Sequence, residues 1–597
     1  MAPVRAVLAR LRSGAGDRTP TLFKPEDPEL SKSNARPAAA TEITTASNES
    51  IEEEQRAVAL LAIAATVGAF LLVTLLLFWA RPAGAQAPVQ SAFVILKGKD
   101  TIGVERVTRG RASIQGDLAV QNQLRWSFVA EVADDSRSPQ MAFRAYGAGA
   151  PADALPLQTG EMRIGADSVS VEVAGASGVP QRLTTAMKGR PFPLINLSFA
   201  LTELMFAHAR RADGASYVGK FLLLAGAGVP LDAKIEFAGS DSATLTLAGI
   251  VHRFAVEVDG RIRGGRIDAQ DVTITRITGA GATKLSLGRP DYGAPADASY
   301  TAEEVTVPTR AGHMLSGTLT TPKGMTGRVP AVVTITGSGQ SDRDEFLSLV
   351  PNYRPFRQLA DTLGRRGIAV LRLDDRGING SGGDIASATS ADFADDIRAG
   401  VAFLRARVGI DPARIALFGH SEGGIIGPMI AATDPQLAAL VIFAGPAYTG
   451  RRIIDFQLRN LVMSDAAIAA DKKDSAVKAQ FAAWDSGRGK TAWTKFFLDY
   501  DPLPTLKKVK APVLVLQGGT DQQVTPEQAP IVERTLMDAG NRDVTVRIFA
   551  NRNHLFLADT SGFPGGYTKL KDGRIGADVM GPLADWLVLK LALKPNP

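Results

Sequence analysis

The chain has 597 residues, with 67 Lys and Arg against 61 Asp and Glu, a formal net charge of +6 and 45% hydrophobic residues. That is enough apolar material for several packed units, and the basic residues are spread out, without the clustered stripe that a nucleic-acid partner needs, so none is expected. There are no cysteines, which excludes disulfides, thiolate metal sites and a cysteine nucleophile; no metal or other cofactor is expected.

Residues 1–56 carry eight Lys or Arg in a Pro-, Ala-, Ser- and Thr-rich context and read as a disordered segment on the cytoplasmic side. From Ala57 to Ala80, "AVALLAIAATVGAFLLVTLLLFWA" runs 24 residues without a charge, long enough to span a bilayer as a helix. Ala83-Gly84-Ala85 follows, with the small-x-small form of a signal-peptidase site. Two readings compete: a membrane anchor, the run being longer than a usual signal core, or a signal peptide cleaved near Ala85. Both put the rest of the chain outside the cytoplasm, either anchored in the inner membrane and facing the periplasm, or periplasmic or secreted.

Residues 91–290 alternate in short runs such as "RWSFVAEVA", "SVSVEVAG" and "ATLTLAGIV", broken by Gly and Asp, with one helical interruption at "FALTELMFAHARRADG". Period-two alternation predicts a β-rich antiparallel unit, as a sandwich, barrel or curved sheet. His208 and His252 within it lack partners at acid/base or metal spacing and read as structural.

From about residue 300 to 597 strands and helices alternate, which predicts a doubly wound, mostly parallel sheet covered on both faces. An opening hairpin ("EEVTVPT", "MLSGTLTTP") leads to the strand "AVVTIT", a helix around "FRQLADTLGRRG", the strand "IAVLRLD", a helix over Ser390–Val408 and the strand "RIALF". Between "LAALVIFAG" and "PVLVLQG" the alternation pauses over residues 446–506, a helical, aromatic stretch that reads as a lid. Its aromatics Phe456, Trp484, Trp493, Phe496, Phe497 and Tyr500 either line an acyl pocket or pack the lid on the body.

The chain's one G-x-S-x-G, "GHSEG" at 419–423, falls between "RIALF" and the helical "GGIIGPMIAA". That strand–turn–helix context makes Ser421 a candidate nucleophile, because glycines at 419 and 423 let helix and strand close on the turn. A serine hydroxyl needs a base, and the base needs an acid to hold its tautomer. Of the five histidines, His420 is set as structural because its side chain points away from Ser421, and His313 lies in the opening hairpin. His554, in "NRNHLFL" after the last strand, falls at the right sheet edge. Asp521, just beyond "VLVLQ", is the matching acid, followed by a helix expected to be capped by Thr525 with Gln528 closing the box. "GSGQSDRD" and "DDRGINGSGG" lack the phosphate-loop pattern and read as tight turns, with Asp375 and Arg376 expected to form a structural ion pair beside the site.

The stretches "PAVVTITGSGQSDRDEF", "RRGIAVLRLDDRGINGSGGD", "IDPARIALFGHSEGGIIGPMIAA", "VKAPVLVLQGGTDQQV" and "NRNHLF" resemble the bacterial exported α/β-hydrolases, in their acyl-esterase and serine-aminopeptidase-like branch, over residues of about 300–595. The resemblance implies the triad Ser421, Asp521 and His554, and an oxyanion hole from the backbone amides of Glu422 and of a residue near Ser338. Where such hydrolases often carry His-Gly, this chain has Thr336-Gly337-Ser338-Gly339, so Ser338, Gly339 or Gln340 supplies the first amide.

The expected activity is hydrolysis of a small-molecule carboxylic ester through an acyl-enzyme, with the membrane met through the N-terminal apolar helix. An aminopeptidase or dipeptidase is the alternative; it needs free acids for the substrate amine, and Asp342, Asp344, Glu345 and Glu422 lie near, expected to be occupied by capping or by Arg343 and Arg376. A catalytically silent binding protein using the β-rich unit is the third reading.

Overall fold

The computed structural model describes residues 88–592 apart from 122, 151–153, 155, 176–179, 188, 213, 225–228, 248, 280, 288–289, 340, 348, 386, 465–467 and 487–490. The N-terminal segment, the apolar run 57–80 and the small-x-small site at 83–85 lie outside the described residues. Among the described residues no helix is long and apolar enough to cross a membrane.

The β-rich region forms one continuous sheet of 15 strands. Its first strand, Val89–Lys97, sits in the middle and pairs antiparallel with the last, Val272–Thr278. The chain meanders outward on one side, crosses to Phe192–Leu194 at the opposite edge, and works back inward through Ser216–Leu223. Only Phe192–Leu194 runs parallel to its neighbour among the pairs described. Alternation decides the faces: in Ser113–Val120 every second residue from Ile114 is buried. The helix Phe199–Arg211 covers one face with Phe199, Leu201, Leu204, Met205 and Phe206. Ser198 caps it, and the fully buried Glu105 accepts from Ser198 Oγ at 2.5 Å, Phe199 N–H at 2.7 Å and Ala200 N–H at 3.1 Å.

The second sheet has eight strands in the order Tyr300–Pro308, Met314–Pro322, Ala369–Leu373, Val329–Ile335, Ile410–His420, Ala439–Phe443, Val513–Gly518 and Val544–Phe549. The first hairpin is antiparallel and the strands from Ala369–Leu373 onward are parallel. Parallel strands need helical crossovers, and these bury both faces. Val333 and Ile335 pack with Ala394, Val401 and Leu404 of the helix Ser390–Ala406 on one side. Val332 packs on the other with Phe356, Leu359 and Leu363 of the helix Pro355–Gly364 and Leu583 and Leu587 of Ala577–Ala592. Each such side chain contributes about 1.5–3 kcal/mol on burial.

The helix Ser390–Ala406 has a full capping box, Thr389 with Asp392, and ends two residues short of the sequence expectation, with Gly409 left-handed at φ 88°. The box expected at Thr525 does not form. That helix begins at Gln528, and Gln528 Oε1 is taken by the amides of Ala447 and Tyr448 at 3.0 and 3.1 Å. Between Ala439–Phe443 and Val513–Gly518 lie the helices Gly450–Met463, Lys473–Ser486, Ala492–Asp499 and Leu503–Leu506.

Candidate active site

Ser421 stands between the strand Ile410–His420 and the helix Gly423–Ala431, with φ at 52°, a conformation that a non-glycine residue adopts under constraint. Its amide donates to the Phe443 carbonyl at 2.9 Å and its carbonyl accepts from Gly424 N–H at 2.8 Å. The turn closes because its neighbours lack side chains: a Cβ at Gly419 would sit 2.0 Å from the Gly423 carbonyl oxygen, and one at Gly423 2.3 Å from that of Ile335.

Asp521 and His554 meet at the carboxyl ends of the last two strands, His554 Nδ1 lying 2.8 Å from Asp521 Oδ2. Both are buried, Asp521 fully. Oδ1 of Asp521 accepts the amides of Gln523 and Val524 at 2.7 and 3.0 Å, and Oδ2 also accepts Gln517 Nε2 at 3.0 Å. These donors fix the direction of the carboxylate. The His554 loop is folded by Asn553, whose Oδ1 accepts the amides of Leu555 and Leu557 at 3.0 and 3.1 Å. It closes on the Asp521 turn through Gly518, where a Cβ would lie 2.4 Å from the carbonyl oxygens of Arg552 and Asn553.

Of the oxyanion candidates, Ser338 and Gly339 are exposed after the strand Val329–Ile335, and Gln340 lies outside the described residues. Gly337 N–H is committed elsewhere, to Glu345 Oε1 at 2.6 Å. Glu422 leads into the helix after Ser421, where the first amides have no partner within the helix.

The Glu422 side chain is itself buried, and its Oε1 accepts Ser390 Oγ at 2.6 Å and Trp493 Nε1 at 2.8 Å. Burial raises its carboxyl above the ordinary range against the pull of those donors and of Ser338. Trp493 stacks on Phe497 at 5.0 Å, and Phe496 on Tyr500 at 5.5 Å. Phe456 is half-buried on the preceding helix, and the side chain of Trp484 lies outside the described set.

The other nearby acids are engaged as well, Asp342 by the backbone capping that the sequence suggested and the rest by partners other than Arg343 and Arg376. Asp342 accepts Tyr292 OH and the amides of Asp344 and Phe346, and burial with Asp344 alongside pushes it up to about 6. Asp344 pairs with Arg372, and Glu345 with His420. Arg343 instead binds Asp374 and Glu304. The expected Asp375–Arg376 pair is absent: Asp375 accepts Thr336 Oγ1 and Ser341 N–H at 2.7 and 2.9 Å, while Arg376 binds Asp396 at 2.8 and 2.9 Å. Consecutive residues leaving a strand point to opposite sides, so each meets a different neighbour. His313 also reaches Asp396, at 3.0 Å. Gln517 and Asn553 escaped the sequence reading, as did the pairing of Glu345 with His420; a lone Gln in the otherwise apolar "VLVLQG" was the one visible signal.

A cavity of about 570 Å³, whose lining does not include Ser421, lies between Gln121 and Arg125 of the β-rich region and Arg343, Asp374 and Asn379 of the second region. Arg125 and Arg343 are tied to carboxylates there.

Residues 351–480 match the family described as serine aminopeptidase, S33. The chain is 29% identical over 315 residues to esterase EstD of Thermotoga maritima, covering 51% of this chain and 72% of that protein. Among solved structures it is similar to the Pyrococcus furiosus esterase Pf2001, at 19% identity over 43% of this chain and 85% of the other with a TM-score of 0.33. It is similar to Est1E of Butyrivibrio proteoclasticus at 16% identity, over 48% and 99%, again at 0.33. Likenesses at that level say nothing of substrate. Residues of about 300–595 are thus similar to the α/β-hydrolases of the esterase and serine-aminopeptidase-like branch.

Proposed function

We propose that this protein hydrolyses small carboxylic esters through an acyl-enzyme on Ser421. The Ser421 oxygen attacks the ester carbonyl while His554 Nε2 takes its proton; Asp521, on Nδ1, holds the tautomer and stabilises the imidazolium. The tetrahedral oxyanion is met by the amide of Glu422 and one from Ser338, Gly339 or Gln340, each such donor worth about 3–4 kcal/mol. Collapse expels the alkoxide, which takes the proton from His554. Water, deprotonated by the same nitrogen, then attacks the acyl carbonyl, releases the acid and returns the proton to Ser421.

The observation that favours esters over aminoacyl amides is the engagement of all four nearby acids. An amine site needs carboxylates left free for the substrate ammonium, because a buried charge is costly without its partner. The similarity to esterase EstD points the same way. The match to the aminopeptidase family favours the second reading, an aminopeptidase using Glu422. Rates on p-nitrophenyl acetate, butyrate and octanoate beside alanyl- and prolyl-p-nitroanilide separate them; a preference for either anilide, lost on Glu422→Gln, overturns the ester assignment.

Export belongs to the same proposal. It is supported by the uncharged run Ala57–Ala80 and the site at 83–85. Protease accessibility in spheroplasts tests it, and full protection of the hydrolase domain contradicts it.

A further inference from the structure

Glu345 and His420 form a buried pair between the two loops that carry the site. Glu345 Oε1 accepts Gly337 N–H at 2.6 Å and lies 2.9 Å from His420 Nδ1, with Oε2 at 3.0 Å. On its other side the ring meets the carbonyl oxygen of His554, 3.1 Å from Nε2. A carbonyl oxygen only accepts, so Nε2 carries a proton; a carboxylate only accepts, so Nδ1 carries one too. Burial works against charge on this ring, but the Glu345 carboxylate, its hydrogen bond and the His554 carbonyl outweigh it and hold His420 above the ordinary histidine range. Glu345 reaches the ring from a left-handed backbone, φ 54°, with its amide on the Asp342 carbonyl at 2.8 Å.

We propose that Glu345 and His420 are a positioning couple for the reaction, tying the loop that supplies the first oxyanion amide to the backbone of the catalytic histidine. The inference rests on the reading of Ser421, His554 and Asp521 as an acyl-transfer site; the couple acts through Gly337 and through the His554 carbonyl. It sets both the relative placement of oxyanion donor and base and the charge balance at the base, since the two imidazole rings are 5.0 Å apart. Displacing a base or donor by an ångström lowers turnover about 100-fold. The titratable groups facing His420 are Glu345, His554 and Asp521. Those facing Glu345 are His420, Tyr353 and Asp375.

Charge-removing variants separate positioning from simple packing. His420→Gln leaves the Glu345 carboxylate unbalanced beside His554 and is expected to move the acid limb of kcat/KM up by about 0.5–1 pH unit. Glu345→Gln leaves the imidazolium unbalanced and is expected to move it down. Both lower kcat roughly 10- to 100-fold with KM changed less than about threefold. Opposite shifts, or an upward shift in His420→Gln alone, support the couple; any other pattern overturns it. Should either variant fail to fold, ¹⁵N spectra of histidine-labelled wild-type protein decide: His420 doubly protonated at pH 7 supports the couple, and a neutral ring overturns it. Fluorophosphonate labelling of wild-type Ser421 is run alongside. Its absence removes the acyl-transfer reading, whereas labelling with unmoved pH limbs removes only the couple.

Discussion

Trp493 Nε1 donates a 2.8 Å hydrogen bond to Glu422 Oε1, so the helices between the strands Ala439–Phe443 and Val513–Gly518 are fastened to the residue that follows Ser421. Glu422 is buried, and its Oε1 also accepts Ser390 Oγ at 2.6 Å, so the tryptophan is one of the donors that hold its carboxyl. Trp493→Phe keeps the stack on Phe497 and removes the donor. KM for p-nitrophenyl octanoate should rise about three- to tenfold, with acetate affected less, since one hydrogen bond to a buried acceptor is worth about 1 kcal/mol. Equal KM values in variant and wild type would disconnect this contact from substrate binding.

Removing members of the proposed triad should have graded effects. Ser421→Ala and His554→Ala are each expected to lower kcat by about three to six orders of magnitude while the fold persists, and Asp521→Asn to lower it less than His554→Ala. The steady-state rates with one p-nitrophenyl ester test the order. Asp521→Asn proving the more damaging of the two would point to another acid.

Gly518 sets the approach of the Asp521 turn to the His554 loop. In Gly518→Ala the new methyl would lie 2.4 Å from two backbone carbonyl oxygens, so the loops must part. A loss of about 2–4 kcal/mol in stability is expected, with kcat lowered roughly 100-fold even where the protein remains folded. Denaturant melts and kcat read the two effects separately, and an unchanged kcat in folded protein would mean that the loops do not depend on this approach.

The 15-stranded sheet has its own pH signature. Burial pushes Glu105 up to about 7, against the pull of Ser198, Ala200 and Phe199. Because the folded pKa is above the unfolded one, the protonated form stabilises the fold below about pH 4.5, and that contribution, on the order of 3 kcal/mol, is lost as pH rises to 7. Asp342, raised to about 6, acts in the same direction. His252, lowered to about 4 by burial, acts oppositely as pH falls from 6.5. Glu105→Gln, permanently neutral, should match wild type in Tm near pH 5 and exceed it by a few degrees at pH 8. A constant Tm difference across that range would show that Glu105 does not titrate on folding.

The parts that the sequence made legible are those governed by local rules. Strand–turn–helix around Ser421 follows from glycines at 419 and 423, and Asp521 and His554 stand directly after apolar strands, so the parallel topology brings them to one edge. The alternation in residues 91–290 announces antiparallel strands, but a sandwich and a single 15-stranded sheet share that pattern. Partners set by tertiary packing stayed hidden. Arg376 finds Asp396 twenty residues away and Glu345 finds His420 seventy-five away, so neither could be read from neighbouring positions. Gln528, read as a cap partner, does reach Thr525 Oγ1 through Nε2 at 3.2 Å, but its oxygen is drawn to the amides of Ala447 and Tyr448.

The most direct measurement is peptide mapping by mass spectrometry after reaction with a fluorophosphonate, with ester hydrolysis followed in the same sample. A single adduct on Ser421, appearing as p-nitrophenyl butyrate hydrolysis disappears and much slower in His554→Ala, is the expected result. Hydrolysis that is blocked with the adduct on another residue, or that continues with Ser421 fully modified, would contradict the assignment of Ser421 as the nucleophile.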